Sequence, residues 1–310
     1  MTVPTSILET KSPRELANFL GIEYNKYIVY FLYRKPLSSQ YKKFEILKRG
    51  SGKRKISAPT SSLKFIQQKL AAELAKEFHS NTSSHAYQNN KSIKTNAAPH
   101  VNAHYILNID LEDFFGSINF GRVRGMFMSR PYYATPAVAT VMAQICCFEN
   151  ALPQGAPTSP VVSNMICSKM DSHLRALAKA TGCYYTRYAD DITFSKRGRK
   201  FPDRLATVVE NDSEMTCIVG KDILNIVSDN GFKINEEKTR FTRNGMRHEV
   251  TGLVVNSKLN VRRSFIRQIQ AMLRAWDKFG YENAADHHFN RYRRKTPGPG
   301  HENASFEKVV

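Results

Sequence analysis

Two adjacent acids, Asp190 and Asp191, lie in the middle of the segment TRYADDITFS, which is otherwise rich in aromatic and β-branched residues. Residues 184–188 and 192–195 have the composition of strands, and Ala189-Asp190 between them predicts a tight hairpin turn, where Asp is common. Taken alone, such a pair indicates a solvated turn. Whether these acids are instead placed for chemistry depends on the acids that the fold brings beside them.

A third acid, Asp110, ends the short apolar segment 105–110, which is typical of a buried central strand. If that strand lies beside the hairpin, three carboxylates meet at one edge of a small antiparallel sheet. Carboxylates about 4 Å apart repel by about 4 kcal/mol at an effective dielectric constant of about 20, so such a cluster favours divalent cations. Mg²⁺ suits it, because Mg²⁺ binds one or two carboxylates and takes substrate phosphates as further ligands.

Two such ions can activate a hydroxyl and stabilise the leaving oxygen of an in-line phosphoryl displacement. The net charge points to the substrate of that chemistry. The 310 residues, enough for about two domains, carry 46 Lys and Arg against 27 Asp and Glu, a formal charge of +19. This excess favours a polyanionic partner, nucleic acid ahead of an anionic membrane surface. The acids and the charge do not separate a polymerase from a nuclease.

Other features of the composition narrow the class of protein. No apolar run approaches the roughly 20 residues of a membrane span, and the N-terminus lacks the basic-then-apolar pattern of an export signal. We therefore expect a cytoplasmic bacterial protein with no membrane partner. The five cysteines are odd in number and form no CxxC pair, which indicates reduced thiols rather than a zinc site or disulfides.

The elements that position these acids can be predicted in outline. Ser12-Pro13-Arg14-Glu15 begins a helix with a capping-box pattern, and residues 44–59 predict two strands around a Gly-Ser-Gly turn. A helix follows over about 62–78, and another is expected to begin near Ser159.

Four further segments are predicted in the C-terminal third of the chain. Residues 202–230 suggest a helical stretch, and residues 250–255 with 258–261 suggest a small hairpin. The basic segment from Arg262, with Arg274 around Met272, Leu273 and Trp276, predicts an amphipathic helix. Residues 297–300 (PGPG) predict a linker.

Three motifs in a fixed order separate the function classes. Residues 110–115 are DLEDFF, residues 152–160 are LPQGAPTSP and residues 188–191 are YADD. Together they resemble the A, B and C motifs of a reverse transcriptase. GFKINEEKT at 231–239 resembles its D motif, and KRKI at 53–56 with Pro59 resembles its fingers motif.

Two further signatures narrow the resemblance to bacterial retron reverse transcriptases. NAAPH at 96–100 matches their NAxxH signature, and VTG at 250–252 matches their VTG signature. The similarity covers most of residues 40–265. It implies an α/β (α+β) right-hand polymerase with fingers, a palm of the split βαβ kind and a thumb.

The resemblance also implies a division of the chain. N-terminal helices and fingers occupy 1–104, motif A of the palm 105–120, connecting helices of fingers and palm 121–153, motifs B, C and D of the palm 154–256, and the start of the thumb 257–310. Because the tail has no obvious terminal element, we expect the thumb to be incomplete.

The resemblance assigns the catalytic roles residue by residue. Asp110, Asp190 and Asp191 hold two Mg²⁺ ions, for which Mn²⁺ can substitute, and Leu111 adds its backbone carbonyl. Phe115 is a steric gate that excludes a ribose 2′-OH; the alternative is a core Phe beside Phe114.

The nucleotide-binding residues follow from the same resemblance. Gln154 and Gly155 line the nucleotide pocket, where Gly lets the backbone approach the substrate; a purely structural loop is the alternative. Lys53 and Arg54 hold the triphosphate, unless they belong only to a solvated hairpin. Lys238 is either a general acid for the leaving pyrophosphate or a surface lysine.

The candidate RNA-binding residues come from the two signatures and the thumb. They are Asn96, His100, Val250, Thr251, Gly252, Arg262, Arg263 and Arg267. A His after Pro in a loop is more often a structural hydrogen-bonding group, and VTG is equally explained by core packing. The arginines of the thumb helix would contact phosphates without recognising a base sequence.

The family resemblance implies an RNA-directed DNA polymerase that uses dNTPs and its cognate non-coding RNA. Priming from a guanosine 2′-OH yields branched RNA-linked DNA (msDNA), and an effector protein of unknown identity is expected as partner in anti-phage defence. The rival of the same class is a group II intron-like or abortive-infection reverse transcriptase, which the two retron signatures disfavour, as does the lack of any maturase or endonuclease segment in the sequence.

Three functions from other classes do not fit the sequence features. A catalytically idle RNA-binding scaffold should have lost an acid, and all three are present. An RNase H-type nuclease has no use for the LPQG loop or for Phe115. A diguanylate cyclase would carry a GG-acid-acid-Phe signature, which is absent.

Overall fold

The computed structural model describes residues 4, 6–47, 52–78, 81–211 and 214–284. The strands within these residues are β1 (Tyr41–Leu47), β2 (Lys53–Pro59), β3 (Tyr105–Leu111), β4 (Tyr184–Tyr188), β5 (Asp191–Lys196), β6 (Ala206–Asn211), β7 (Glu214–Val219), β8 (Ile234–Arg243), β9 (Glu249–Val250) and β10 (Leu253–Val254). The α-helices are α1 (Pro13–Phe19), α2 (Ser61–Glu77), α3 (Ile93–Ala97), α4 (Phe120–Met128), α5 (Pro136–Cys146), α6 (Ser159–Ala180), α7 (Lys221–Asp229) and α8 (Arg263–Phe279). A π-helix spans Tyr24–Arg34.

A four-stranded antiparallel sheet in the order β4-β5-β3-β8 forms the centre of the fold. Strand β3 is apolar because it is paired on both sides and covered; Ile106, Leu107 and Ile109 are all buried. Helices α4, α5 and α6 contribute to the same buried cluster as β3 and β5. The sheet is therefore a fixed platform whose register determines where its acidic residues lie.

Most of the predicted elements around this sheet are confirmed. Ser12 caps α1 through its Oγ, which accepts from the Glu15 N–H at 3.2 Å. Strands β1 and β2 form the predicted antiparallel hairpin, and α2, α6 and α8 lie where helices were expected. The turn predicted at Gly50-Ser51 and the linker predicted at 297–300 fall outside the described residues. All five cysteines are free thiols.

The helix predicted over residues 202–230 is wrong in its first half. Strands β6 and β7 form an antiparallel hairpin there, and only α7 is helical. The segments ATVVEN and EMTCIV are rich in Thr, Val and Ile, whose branched Cβ favours a pleated strand.

The small hairpin predicted over 250–261 is only partly correct. Strands β9 and β10 pair around Thr251 and Gly252, whose φ angles of 47° and 82° lie in the left-handed region. The segment predicted as the second strand contributes one bridge, between Val254 and Asn260. The tight turn falls within the VTG signature because Gly adopts positive φ without strain.

His100 is fully buried and joins the NAxxH segment to two strands of the central sheet. Its Nδ1 lies 2.7 Å from Ser195 Oγ on β5, and its Nε2 lies 2.8 Å from Thr186 Oγ1 on β4. Burial, with His85 and Arg197 nearby, lowers the pKa of His100 to about 3. The imidazole is therefore neutral at physiological pH.

None of the helices in the described residues is long and apolar enough to cross a membrane.

We expect His100 to make the folded state acid-sensitive. Between pH values of about 6.5 and 3 the unfolded chain binds a proton at His100 that the folded chain excludes, so the free energy of unfolding falls as pH falls, by up to about 1.4 kcal/mol per pH unit. His100→Gln should reduce this slope in urea unfolding measured from pH 7 to 4. The exposed His173→Gln is the control. An unchanged slope in His100→Gln would contradict the assignment.

Candidate active site

The sheet register brings the predicted acids together where β3 ends and β5 begins. Asp110 on β3 pairs directly with Asp191 on β5. The Leu111 N–H donates to the carbonyl oxygen of Asp190 at 3.0 Å, so the β4–β5 turn is attached to the end of β3. Leu111 itself has a buried side chain, which leaves only its backbone available to a ligand.

The position of these acids affects the pKa values of Asp190 and Asp191. Partial burial, and after it the nearby Asp190 and Asp110 carboxylates, raise the pKa of Asp191 to about 7, although part of its side chain is exposed. Burial, opposed in part by a backbone hydrogen bond, also raises the pKa of Asp190. Carboxylates held this way favour a cation among them.

Lys238 supplies one positive charge to this cluster. The pairing of β3 with β8 shifts between Asn108 and Asp110, where the partner changes from Arg240 to Asn235. Lys238 lies in the resulting bulge, and its Nζ is 2.8 Å from Asp110 Oδ1. The bulge therefore aims a lysine at the acids, as bulges often do near functional sites.

The donor set suits a divalent cation that prefers oxygen ligands. It offers carboxylate oxygens on Asp110, Asp190 and Asp191 and the carbonyl of Leu111, which are the donors that Mg²⁺ uses. In the described part of the chain, no group of three or more His, Cys, Asp or Glu side chains converges as a ready-made metal site.

Phe115 is anchored beside the acids by the core. It packs edge-on against Phe114 with ring centroids 5.2 Å apart, and Phe114 stacks on Phe232. Phe114 is buried while Phe115 is half-buried, so one part of the Phe115 ring faces outward. Phe115 therefore packs on the core beside Phe114, and its role as a steric gate stays a prediction.

The LPQG loop is joined to the β1–β2 hairpin. The Ser57 N–H donates to the carbonyl of Gln154 at 2.9 Å. Gly155 has a φ of 118°, and a Cβ there would lie 3.1 Å from Ile56 Cγ2 and 3.2 Å from the Ser57 carbonyl oxygen. Only glycine fits this close approach without displacing backbone.

The basic candidates Lys53 and Arg54 are exposed on β2, the strand that Gln154 contacts. Lys53 is ion-paired with Glu45 at 2.8 Å, and this hydrogen-bonded contact raises its pKa. Lys53 and Arg54 thus lie on the strand whose Ser57 contacts the LPQG loop, and the nucleotide pocket stays a prediction.

The two retron-type signatures contact each other. Asn96 Nδ2 donates to Thr251 Oγ1 at 3.4 Å, and Val250 packs in a small cluster with Ala97 and Ile106. Direct contact of Asn96, His100 and Val250 with RNA is not compatible with their burial, because their side chains have essentially no exposed surface. Their hydrogen-bonding and packing roles are structural.

The remaining RNA-binding candidates are accessible. Gly252, Arg262, Arg263 and Arg267 are exposed, and Thr251 is partly so. Arg262 Nη2 lies 2.5 Å from Glu249 Oε2, which fixes the start of α8 beside β9.

Comparison with known proteins identifies the family. The model of the family "Reverse transcriptase (RNA-dependent DNA polymerase)" matches residues 46–257. The chain belongs to the reverse transcriptases. Retron Ec86 reverse transcriptase of Escherichia coli is 35% identical over 76% of this chain and 69% of its own length, which places the chain among the retron enzymes of that family.

Retron Mx162 reverse transcriptase of Myxococcus xanthus is 31% identical over 98% of the chain, but the match covers 63% of the Mx162 protein. Among solved structures, telomerase from Candida albicans with a fragment of telomeric RNA matches 77% of this chain and 52% of that one, with a TM-score of 0.49 and 12% identity.

The motifs of this reverse transcriptase did not reveal one pair near the acids. Asp171 on α6 and Arg187 on β4 form a wholly buried ion pair, and Arg187 lies two residues before the turn that joins β4 and β5. A detectable signal was present: Asp171 falls on the same stripe of α6 as the buried Cys167, Met170 and Leu174. A charge on an apolar stripe requires a buried partner.

The sequence motifs also gave no indication that Tyr87 lies near Asp190. Tyr87 is exposed, adopts a φ of 59°, and its pKa is raised by partial burial and by the nearby Asp190. An unusual backbone conformation of this kind cannot be recognised in a loop sequence without the structure.

We expect Gly155→Ala to lower the free energy of unfolding by about 1–3 kcal/mol, because Ala is strained at this φ and its Cβ would press on the Ser57 carbonyl. Gly125→Ala is the matched control: this helical position has open space around it and should gain up to about 1 kcal/mol. Urea unfolding of both variants tests the expectation. Equal free energies of unfolding for the two variants would show that β2 can accommodate a Cβ at position 155.

Proposed function

We propose that this chain copies a cognate structured retron RNA into single-stranded DNA, starting from the 2′-OH of a guanosine in that RNA. The observation that carries the proposal is the pairing of Asp110 with Asp191 at the edge of the sheet, next to Asp190. The contact between the NAxxH and VTG segments supports the retron type. The +19 charge suits an RNA partner.

The predicted metal-binding residues act on the reacting oxygens. Asp110, Asp190, Asp191 and the Leu111 carbonyl would hold two Mg²⁺ ions, or Mn²⁺ in their place. When bound, these ions activate the attacking hydroxyl and neutralise the leaving oxygen.

The remaining site residues act on the nucleotide. Lys53 and Arg54 bind the triphosphate of the dNTP, with Gln154 and Gly155 beside the base and sugar. Phe115 packs against the sugar and excludes a 2′-OH. Lys238, already near Asp110, donates a proton to the leaving pyrophosphate.

The wider setting is part of the same proposal. The partners are dNTPs, the non-coding RNA, its msDNA product and an effector protein that the sequence does not identify. We place the enzyme in the bacterial cytoplasm, in defence against phage, as the family resemblance implies. The divisions expected for fingers (1–104), palm and thumb (257–310) belong to this proposal as well.

The deciding experiment is DNA synthesis by the chain purified with RNA co-expressed from its own locus. With Mg²⁺ and labelled dNTPs we expect an alkali-resistant DNA whose short RNA remnant is released by a debranching enzyme. Asp190→Asn should reduce the product to background, because it removes a ligand charge. Asp203→Asn, which alters an exposed ion pair with Lys200, should leave it unchanged.

Two other outcomes would contradict the proposal in different ways. Extension only from added primers with a free 3′-OH would leave a reverse transcriptase without retron priming. RNA binding with no DNA from either route would favour the catalytically idle scaffold.

The gate assigned to Phe115 gives a separate expectation. Phe115→Val should raise incorporation of ribonucleotides relative to deoxyribonucleotides by about 10- to 100-fold, because the smaller side chain leaves room for a 2′-OH. The measurement is competitive incorporation of ATP and dATP. Phe65→Val, at an exposed position of α2, is the control. An unchanged ratio would identify Phe115 as a packing residue.

A further inference from the structure

Arg187 lies two residues before the β4–β5 turn and has no exposed surface. Its Nε and Nη2 bind Asp171 Oδ1 and Oδ2, each at 2.7 Å, as a two-pronged contact of guanidinium with carboxylate. Burial alone would lower the pKa of Arg187, but Asp171 raises it overall, so the guanidinium stays charged. Tyr185 Oη also donates to Asp171 Oδ1, at 2.7 Å.

The remaining guanidinium donors reach two other segments. Nη1 donates to the carbonyl oxygen of Ala189 at 2.9 Å. Nη2 also contacts Asn164 Oδ1 at 3.1 Å and Ser84 Oγ at 3.3 Å. Arg187 therefore connects α6, the loop at Ser84 and the catalytic turn through one rigid planar group.

The Ala189 carbonyl is the contact with consequences for the acids. Ala189 has a φ of 57°, a left-handed conformation that is unfavourable for a residue with a Cβ. It directly precedes Asp190, whose own carbonyl accepts from the Leu111 N–H. The turn is thus held on one side by β3 and on the other by Arg187.

Stability of the fold does not require a charged pair at this position. Replacing a buried ion pair by apolar residues of similar volume is often neutral or stabilising, because desolvation offsets the attraction. The distinctive property of Arg187 is its bond to a strained turn residue, which an apolar side chain cannot make.

We propose that Arg187 is a positioning residue of the polymerase: its Nη1 bond to Ala189 fixes the turn that aims Asp190 and Asp191 at the metal-binding edge. The proposal rests on the proposed function for its catalytic consequence, and on the turn geometry alone for its structural one.

Arg187→Lys tests the bond with the charge retained. A lysine can pair with Asp171 but lacks the fork needed to reach Ala189 as well. We expect kcat for DNA synthesis to fall by about 10- to 100-fold, since a displacement of about 1 Å can cost about 10²-fold. The Mn²⁺ concentration for half-maximal binding, measured by electron paramagnetic resonance, should rise several-fold, with the KM for dNTP little changed.

Ser84→Ala is the matched control. It removes one acceptor of Nη2, which keeps Asn164 and Asp171, and leaves the Nη1 bond to Ala189 unchanged, so both kcat and Mn²⁺ binding should stay within about twofold of the original. Amide hydrogen exchange of Leu111, which reports the turn contact directly, should accelerate in Arg187→Lys and remain slow in Ser84→Ala.

A second variant keeps the proposal testable if Arg187→Lys does not fold. Arg187→Leu combined with Asp171→Leu and Tyr185→Phe removes the pair and its hydroxyl partner while filling the volume. A folded triple variant with weakened Mn²⁺ binding and faster Leu111 exchange would support positioning. Native Mn²⁺ binding and exchange in either folded variant would overturn it.

The two proposals fail separately. Absence of DNA synthesis by the unaltered chain would refute the proposed function, while the exchange and Mn²⁺ measurements would still decide the role of Arg187.

Discussion

The mutual repulsion of three carboxylates at one sheet edge is the constraint on which the rest of the structure depends. The backbone pairing of β3 with β5 fixes Asp110 and Asp191 opposite each other. Part of the repulsion appears as the raised pKa of Asp191, and part is offset by Lys238. A site of this kind persists only if the surrounding fold determines its geometry.

The fold provides that support from segments distant in sequence. Helix α6 packs an apolar stripe on the sheet and carries Asp171 on the same stripe, so the buried core and the ion pair are parts of one surface. On the other side of β3, the bulge in β8 aims Lys238 at Asp110. The LPQG loop is fixed against β2 by the close approach at Gly155. Packing, rather than loop flexibility, sets the arrangement.

The parts of this arrangement that could be predicted from sequence are those with local signals. Alternating aromatic and β-branched residues predicted β4 and β5, and the apolar run to Asp110 predicted a central strand. Residues 206–219 were predicted as part of a helical stretch, although their β-branched content favours strands. The contacts of Arg187 with Ser84, Asn164 and Asp171 could not be predicted, because these partners are adjacent to it only after folding.

The burial of the signature residues changes which part of the chain is a candidate for RNA contact. Both ring nitrogens of His100 lie within hydrogen-bond distance of side chains on β4 and β5, and Asn96 Nδ2 donates to Thr251 Oγ1, so these contacts lie inside the protein. The Asn96 contact supports the β9–β10 turn, and the ion pair of Glu249 with Arg262 joins β9 to the start of α8. Exposed cations lie on that supported surface, where phosphate contacts need only charge and reach. The buried members of the two signatures, Asn96, His100 and Val250, therefore act on the structure of the protein, and the accessible candidates for RNA contact are the turn residues and the arginines of α8.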